Sequence, residues 1–278
     1  MATLSEYRER PHWSYSAVNQ FVNICSLQYA FDRIYRLPRA FVPVALSFGS
    51  AFHRTCEWVN RNRMEGSMPG ASDASALFRD LWSRQLAQDG DIRFDEGQTP
   101  ESCGRQGADM IECLVKSIDP AEQVLSVCEP FAVPLVDTSG NVLEDPLIGE
   151  LDTVVVSKGR KTVVDWKTSA RRWPKDKSGL DLQPTAFLYG YVHLHGELPE
   201  FRFDVVVKNK VPVFEQHVTA RTADRFARLV ELVRTVERAV AAEAFFPNEQ
   251  SYYCAGCCHV EACRAWHRQS RRAISLAA

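Results

Sequence analysis

The fold is decided by residues 148–167, which read IGELDTVVVSKGRKTVVDWK. Two β-branched runs flank the turn-forming letters SKGR, and this pattern predicts a β-hairpin. Because residues two apart on a strand face the same side, Asp165 and Lys167 share one face and Trp166 lies on the other. If the strands pair through that turn, Asp152 lies within a few residues of the position opposite Asp165. The hairpin is therefore expected to bring two carboxylates and one ammonium group together.

Such a grouping has a chemical use. Hard divalent cations such as Mg²⁺ prefer oxygen ligands, and a bound cation polarises a phosphoryl oxygen. A lysine beside it can stabilise negative charge that grows on the phosphate. A simpler interpretation also stays open, in which Asp165 and Lys167 form an ion pair on a strand. Two further candidates are His53, in a predicted early helix, and Gln183, whose amide lies near the same end of the sheet.

The remaining elements follow from periodicity. After Ser14 or Ser16 as a helix N-cap, apolar residues recur at helical spacing as far as Ile34. The polar segment 88–107 is expected to be a mobile loop. Further helices are predicted over 47–61, 73–86, 110–117, 181–195 and 222–243, and further strands over 123–136, 201–208 and 211–218.

This element order predicts an α/β (α+β) fold in which a mixed β-sheet is flanked by helices. We expect a single domain over 1–278. Residues 1–120 would form a mainly helical part, 121–220 the β-sheet core with the catalytic residues, and 221–278 a C-terminal helix followed by a cysteine cluster.

Composition narrows the class of protein. The chain has 278 residues, with 33 Lys and Arg against 35 Asp and Glu, and a formal net charge of −2. That balance excludes a protein coated in positive charge but allows a local basic groove. No apolar run approaches the ~18 residues of a membrane span. Because the first residues also lack the apolar stretch of a signal peptide, we expect a cytoplasmic protein with no membrane segment.

Cysteine is the most unusual component. Nine cysteines, an odd number in a chain without a secretion signal, argue against a disulfide framework. Cys254, Cys257 and Cys263 form a C-x₂-C-x₅-C cluster typical of metal binding. A fourth ligand would come from Cys25, Cys258 or His259. Cys258 also allows the alternative register C-x₃-C-x₄-C.

Several of these residues together resemble a known family. The order is GxxxH at 49–53, GELD at 149–152, DWK at 165–167, and then Gln183 followed by aromatic residues. It resembles the PD-(D/E)XK nuclease superfamily and is most similar to its RecB-like exonuclease branch, which includes CRISPR-associated RecB-like exonucleases and AddB-type nuclease domains. The resemblance spans roughly residues 14–263.

The resemblance implies a restriction-endonuclease-like core that hydrolyses DNA phosphodiesters with Mg²⁺ or Mn²⁺. It implies that Lys167 is the catalytic lysine and that Gln183 is the family's helix glutamine. The family usually has Tyr four residues after that glutamine, where this chain has Phe187. The implied metal ligands are His53, Asp152, Asp165 and the carbonyl of Trp166.

The same resemblance extends to the cysteines. Iron–sulfur members of the family use one upstream cysteine, in a helix that opens with Ser, and three cysteines near the C-terminus. The segment 16–31 is similar to that upstream helix. The resemblance therefore implies a C-terminal iron–sulfur knot, with a [4Fe–4S] cluster on Cys25, Cys254, Cys257 and Cys263. Zn²⁺ on the same cysteines, or Zn²⁺ with His259, is the alternative.

A basic stretch follows the hairpin. Eight Lys and Arg lie between Lys158 and Lys177, opposed only by Asp165 and Asp176. A basic loop with an interleaved tryptophan suits single-stranded DNA, through phosphate attraction and base stacking. A solvated loop is the plainer interpretation. The candidate DNA-binding residues are Arg171, Arg172, Trp173 and Lys175.

The leading hypothesis is a metal-dependent DNA exonuclease, acting on single-stranded ends in DNA repair, recombination or CRISPR adaptation. The alternative is a non-catalytic DNA-binding scaffold subunit with the same fold and cluster. A third hypothesis is a zinc-stapled interaction module. The chain has no G-x-x-x-x-G-K-[ST] loop, so any helicase activity would come from a partner protein. A helicase or a CRISPR-adaptation protein would be such a partner.

Overall fold

The computed structural model describes residues 3–275, which form eight strands and ten α-helices. The strands are β1 (Trp13–Ser14), β2 (Val42–Pro43), β3 (Ile92–Arg93), β4 (Gln123–Val133), β5 (Leu147–Ser157), β6 (Arg160–Ser169), β7 (Glu200–Val207) and β8 (Val213–Thr219). The helices are α1 (Leu4–Tyr7), α2 (Tyr15–Asn19), α3 (Ser26–Tyr29), α4 (Val44–Met64), α5 (Ala71–Asp89), α6 (Pro100–Ser117), α7 (Lys177–Leu180), α8 (Gln183–His195), α9 (Ala223–Ala241) and α10 (Val260–Ser275).

The main sheet is mixed and runs in the order β4–β5–β6–β7–β8. Its β5–β6 hairpin forms as predicted, with Thr153 opposite Val164. The pair β6–β7 is parallel, and the pairs β4–β5, β5–β6 and β7–β8 are antiparallel. Strand β1 lies parallel to the first residues of β5. A mixed sheet flanked by helices confirms the predicted fold class.

Each face of the sheet has its own hydrophobic core. Helices α4, α5 and α6 cover one face, where Val164 and Trp166 of β6 are buried. The N-terminal helical segments, α8 and α9 cover the other, where Val163 of β6 and Phe203 of β7 are buried. The alternation along β6 thus sends successive side chains into opposite cores. In the described residues, no helix is long and apolar enough to span a membrane.

Helix α6 corrects the prediction of a mobile loop over 88–107. It begins at Pro100, ten residues before the expected start near Met110. Thr99 caps it, since its hydroxyl accepts from the Ser102 amide and Ser102 Oγ accepts from the Thr99 amide. A Thr cap followed by Pro at the first helical position is a strong start signal. Two glycines of this segment lie inside the helix without breaking it, because Gly104 packs against the Trp82 ring and Gly107 against the Phe78 ring.

The first predicted helix is not continuous. Cys25 has φ −170° and ψ 119°, which is extended backbone, and it separates α2 and a π-helical turn from α3 and a second π-helical turn. The Cys25 thiol N-caps α3 by accepting from the Gln28 amide at 3.4 Å. This break turns the Cys25 sulfur towards the C-terminal segment, because the Asn248 amide also donates to it at 3.4 Å.

Candidate active site

The hairpin brings Asp152, Asp165 and Lys167 together. Lys167 Nζ lies 2.6 Å from Asp165 Oδ2, and the Trp166 amide donates to Asp152 Oδ2 at 3.0 Å. The hydrogen bond from Trp166 to Asp152 fixes the Asp152 carboxylate relative to β6, the strand that carries Asp165. Asp165 is almost fully buried, with 2% of its side chain exposed, whereas Lys167 reaches the surface.

Helix α4 supplies His53 from the other side of the sheet. His53 Nδ1 lies 3.3 Å from Asp152 Oδ2, and 36% of its side chain is exposed. Its ring meets the Trp166 ring edge-on, with centroids 6.0 Å apart. The aromatic residue that separates Asp165 from Lys167 in sequence therefore supports the histidine on the opposite face.

Helix α8 supplies Gln183 at its first residue. The Gln183 side-chain amide donates to Asp165 Oδ1, and the Gln183 backbone amide donates to Asp181 Oδ1 at 2.9 Å. The helix can approach the sheet closely because Gly190 lies against the Phe131 ring, where a Cβ would be 2.6 Å from the nearest ring atom. Gly149 of the GELD segment packs on the same ring.

The electrostatics differ between the two aspartates. Burial raises the pKa of Asp165 to about 6, and the opposing effect of Lys167 does not cancel it. Burial acts the same way on Asp152, but His53 and Lys167 outweigh it and hold the pKa of Asp152 below its usual value. For His53, burial lowers the pKa, and the Asp152 carboxylate more than offsets this, so its pKa lies above the usual value.

The donor set fits a divalent cation in kind. Asp165 Oδ2 is buried and, although it is close to Lys167 Nζ, no donor meets it in hydrogen-bond geometry. A carboxylate oxygen in that condition suits a hard cation. Within residues 3–275, however, no three His, Cys, Asp or Glu side chains are gathered tightly enough to form a ready-made metal site. In the structure Lys167 and Gln183 take the positions beside Asp165.

Two residues near this site were missed at the sequence level. Asp181 Oδ1 receives the Tyr15 hydroxyl at 3.2 Å, in addition to the Gln183 amide. The Tyr15 ring meets Phe187 edge-on, with centroids 6.4 Å apart. Tyr15 thus packs on the phenylalanine that stands at the family's tyrosine position. No local signal could have revealed it, because the Tyr15–Asp181 contact joins residues 166 apart.

A second cluster forms where the N-terminal helices meet the C-terminal segment. A pocket of about 460 Å³, including its open mouth, is lined by apolar side chains, three polar residues and four thiols. The Cys25 sulfur accepts from the backbone amides of Gln28 and Asn248. The Cys257 sulfur accepts from the His259 amide at 3.5 Å and from Gln28 Nε2 at 3.6 Å. The four cysteines in the lining are Cys25, Cys254, Cys257 and Cys263.

The other two candidate ligands lie outside the pocket lining. Cys258 is buried outside that pocket lining, and its carbonyl accepts from the Ala40 amide at 3.2 Å. His259 Nε2 lies 3.0 Å from Asp32 Oδ1, in a buried contact. Asp32 also accepts from Gln20 Nε2 at 2.6 Å. Geometry therefore separates Cys257, which lines the pocket, from Cys258 and His259, which do not.

The basic loop has mixed surroundings. Arg171 and Lys175 are exposed, and Arg172 is exposed but forms an ion pair with Glu215 at 3.0 Å. The Trp173 ring is half-buried. Its centroid lies 5.0 Å from that of Phe203 and 5.4 Å from that of His217, and Lys177 Nζ lies 4.2 Å from it. The half-buried Trp173 ring thus packs against Phe203 and His217, and its use for base stacking stays a prediction.

Comparison with known proteins places this geometry in context. A sequence profile of the PD-(D/E)XK nuclease superfamily matches residues 12–264. A crystal structure of a candidate exonuclease from Eubacterium rectale is similar over 92% of this chain and 90% of that one, with 16% identity and a TM-score of 0.53. That likeness concerns the fold alone.

Two further comparisons give no additional evidence on the family or the fold. The solved structure of SSO0001 matches 94% of this chain and 92% of its own, with 12% identity and a TM-score of 0.44, which is too low to support an argument. No curated protein matches the sequence significantly.

Proposed function

This chain belongs to the PD-(D/E)XK nuclease superfamily, and on that premise we propose that it is a metal-dependent DNA exonuclease of the RecB-like branch. The observation that carries the proposal is the meeting of Asp152, Asp165 and Lys167 at one end of the β5–β6 hairpin. A purely structural Asp165–Lys167 ion pair would not need the second carboxylate of Asp152, which is half-buried beside it, because partial burial of a further negative charge is costly.

The roles follow from the contacts. A divalent cation, when bound, would polarise a phosphoryl oxygen and lower the pKa of an attacking water. His53, Asp152, Asp165 and the Trp166 carbonyl would hold that cation. Gln183 orients Asp165 by donating to its Oδ1. Lys167 Nζ lies 2.6 Å from Asp165 Oδ2 and 29% of its side chain is exposed, so it is placed to stabilise charge that develops on the phosphate.

We place the DNA backbone along the basic loop. Arg171, Arg172 and Lys175 are exposed just after β6, the strand that bears Asp165 and Lys167. Lysine and arginine side chains beside a phosphodiester-cleaving centre would attract the backbone, and binding would weaken as salt is raised. Attack at single-stranded ends, and a helicase or CRISPR-adaptation partner that supplies such ends, remain part of this proposal.

We further propose a [4Fe–4S] cluster on Cys25, Cys254, Cys257 and Cys263. The support is one pocket lined by four thiols, two of which accept N–H hydrogen bonds, an interaction that tunes the potential of such clusters. The thiols are not gathered as tightly as ligands of a single ion. Zn²⁺ on the same cysteines is the alternative, with four sulfurs at about 2.3 Å from one centre.

The test is degradation of end-labelled single-stranded DNA by anaerobically purified protein, with and without Mn²⁺. Wild-type protein and Lys167→Ala are compared with Lys161→Ala. Lys161 is the matched control because it lies on the same strand but faces solvent, paired to Glu197. We expect Mn²⁺-dependent shortening that is lost in Lys167→Ala and kept in Lys161→Ala.

The other outcomes separate the alternatives. A protein that binds DNA but leaves it intact would favour the scaffold. Shortening that persists in Lys167→Ala would remove the proposed site. Iron and zinc content of the same preparation decides between cluster and zinc, independently of cleavage.

A further inference from the structure

Arg221 is a buried arginine that follows β8, and only 5% of the residue is exposed. Three of its N–H groups point to the segment that contains α7 and the start of α8. Nε donates to Thr185 Oγ1 at 2.8 Å, and one terminal nitrogen donates to the carbonyls of Ser178 at 2.9 Å and Asp181 at 2.7 Å. The guanidinium therefore binds residues that precede and follow Gln183 in the sequence.

The other two N–H groups of Arg221 hold it to the end of β8. The second terminal nitrogen donates to Thr219 Oγ1 at 2.6 Å and to the Ala220 carbonyl at 2.9 Å. A guanidinium has five N–H donors, so every donor of Arg221 has an acceptor. All five acceptors are uncharged oxygens, whereas an arginine that serves for charge pairing faces a carboxylate. The planar guanidinium is thus a rigid connector between the sheet and the segment before and within α8.

Burial of this charge among neutral partners is unfavourable. Burial, and then the nearby charge of Arg225, lower the pKa of Arg221. A buried charge without an opposite charge beside it lowers the stability of the fold. The carbonyls of Ser178 and Asp181 belong to the C-terminal end of α7, where a cation is favoured, and this offsets part of the cost. The position of the arginine is therefore best explained by what the connected segment carries.

That segment carries contacts to the candidate active site. The Gln183 side chain donates to Asp165 Oδ1. The Gln183 backbone amide donates to Asp181 Oδ1, which also receives the Tyr15 hydroxyl at 3.2 Å. Tyr15 thus holds the side chain of Asp181, whereas Arg221 holds its carbonyl. Both contacts fix the backbone from which the Gln183 side chain reaches the buried carboxylate of Asp165.

We propose that Arg221 is a positioning residue of the nuclease site, which acts by holding Gln183 within hydrogen-bond distance of Asp165. The inference rests on the proposed function and deepens it, because it extends the site to a residue that touches neither DNA nor metal. Without the guanidinium, the segment around Gln183 loses three hydrogen bonds to Arg221. A displacement of about 1 Å in such a supporting segment is enough to slow catalysis strongly.

The first test is a double-mutant cycle of Arg221→Gln with Gln183→Leu. We expect Arg221→Gln to lower the kcat for cleavage of single-stranded DNA about ten-fold at saturating Mn²⁺. In the Gln183→Leu background the same substitution should have almost no further effect, because the bond that Arg221 positions is already absent. A merely structural role of Arg221 predicts an equal loss in both backgrounds. Thermal unfolding of each variant checks that the protein is folded under the assay conditions.

A milder variant covers the case in which Arg221→Gln does not fold. Thr185→Val removes one acceptor of the guanidinium on α8 and keeps a side chain of the same shape. Thr219→Val is the matched control, since it removes one acceptor of the same guanidinium on the β8 side. We expect slower cleavage in Thr185→Val, by less than in Arg221→Gln, and a rate close to that of the parent in Thr219→Val.

The side-chain amide of Gln183 gives a readout that needs neither metal nor DNA. Its proton–nitrogen NMR signals are identified by their absence in Gln183→Leu. They should shift in Arg221→Gln and Thr185→Val and stay in place in Thr219→Val. Unmoved signals, or an additive cycle, would overturn the positioning role. Shifted signals in a protein that never cleaves DNA with Mn²⁺ would leave the positioning of Gln183 established and contradict the nuclease proposal.

Discussion

Asp165 is the residue on which the chemistry of the site depends most, because its two carboxylate oxygens have different surroundings. Oδ1 accepts from Gln183, and Oδ2 faces Lys167 without hydrogen-bond geometry. The neutral amide of Gln183 thus holds Oδ1 in place, whereas Oδ2 lies beside the positive charge of Lys167. On the proposed function, a cation bound at Oδ2 would leave the Gln183 bond to Oδ1, which orients the carboxylate, in place.

The role of Gln183 leads to a prediction at this scale. Gln183→Leu removes the donor to Asp165 Oδ1 and keeps a side chain of similar size. We expect Mn²⁺ affinity and cleavage rate to fall about 10–100-fold, as is usual when an outer partner of a metal ligand is lost. Calorimetric Mn²⁺ titration and the cleavage assay measure the two effects. Gln88→Leu, on the exposed end of α5, is the control and should change neither quantity.

Individual site residues differ in how predictable they were. Asp165 and Lys167 could be placed on one face from the period of a strand, and the register of the hairpin brought Asp152 to them. Gln183 followed from its place at a helix start. Tyr15 and Asp181 could not be found, because their contact depends on the packing of α2 against α8, which no local pattern encodes.

Among the elements, helix α8 connects the fold most directly to the site. It carries Gln183 at its first residue and Gly190 at its closest approach to the sheet. The Phe131 ring occupies the space that side chains at Gly190 and Gly149 would take. The position of the Gln183 amide therefore depends on two positions having no side chain.

Gly190→Ala tests that dependence. Alanine gains about 0.8–1.0 kcal/mol over glycine in a helix interior, but overpacking against Phe131 costs about 1–3 kcal/mol. We expect net destabilisation in urea unfolding, together with slower cleavage as α8 shifts. Gly179→Ala in α7 is the matched control, since nothing lies within 4 Å of its added Cβ. A Gly190→Ala protein that is more stable and equally active would show that α8 is not held by this contact.

The connection between β4 and β5 gives a pH-dependent prediction. Asp137 accepts from the Asn141 side chain at 3.0 Å, from the Asn141 and Ser139 amides at 2.8 Å each, and from Arg234 of α9. Asn141 first, and then Arg234, hold the pKa of Asp137 well below its usual value. The ionised carboxylate therefore stabilises the fold above its ordinary pKa, and this contribution is lost as pH falls below about 4.

Asp137→Asn should accordingly lower the urea midpoint at pH 7, and the difference from wild type should shrink between pH 4 and pH 3. Glu144→Gln, an exposed residue of the same connection, is the control. A difference that is constant with pH would mean that the charge of Asp137 is irrelevant.

Two helical elements, α6 and the segment around Cys25, differ from what the sequence predicted. The start of α6 was encoded locally, in Thr99, Pro100 and Ser102, but the glycines and polar residues of that segment suggested a loop. The break at Cys25 was not encoded locally. Apolar spacing runs through it at helical period, and it is the amide of Asn248, from the far end of the chain, that engages the Cys25 sulfur.

For the whole molecule, the cysteine pocket joins the two ends of the described chain. Cys25 follows the first helices, and Cys254, Cys257 and Cys263 precede or begin α10. A cluster bound there would close a loop of more than two hundred residues in the unfolded chain, which raises stability in proportion to the logarithm of loop length.

The substitution Cys25→Ala tests whether a cluster in the cysteine pocket joins the two ends of the chain. We expect the iron content to drop from about four atoms per chain to near zero, with lower thermal stability of the whole protein and poorer solubility. Metal analysis and thermal unfolding measure these changes. Cys113→Ala is the matched control, because Cys113 is similarly half-buried but lies outside the pocket. Unchanged metal content and stability in Cys25→Ala would refute the ligand assignment.

At this largest scale the sequence was informative about class and less so about assembly. The mixed sheet with helices on both faces followed from periodicity and element order. What brings Cys25 to the C-terminal segment is the packing of helices over the sheet, and that depends on contacts between residues more than two hundred positions apart.

The central claim is that Asp152, Asp165 and Lys167 form a metal-dependent phosphodiesterase centre. The most direct measurement is the rate at which the anaerobically purified protein shortens end-labelled single-stranded DNA as Mn²⁺ is titrated, in wild type and in Lys167→Ala. The account predicts no cleavage in EDTA, a saturable rise with Mn²⁺ in the wild type, and no rise in Lys167→Ala. Cleavage that persists in EDTA, or in Lys167→Ala, would contradict it.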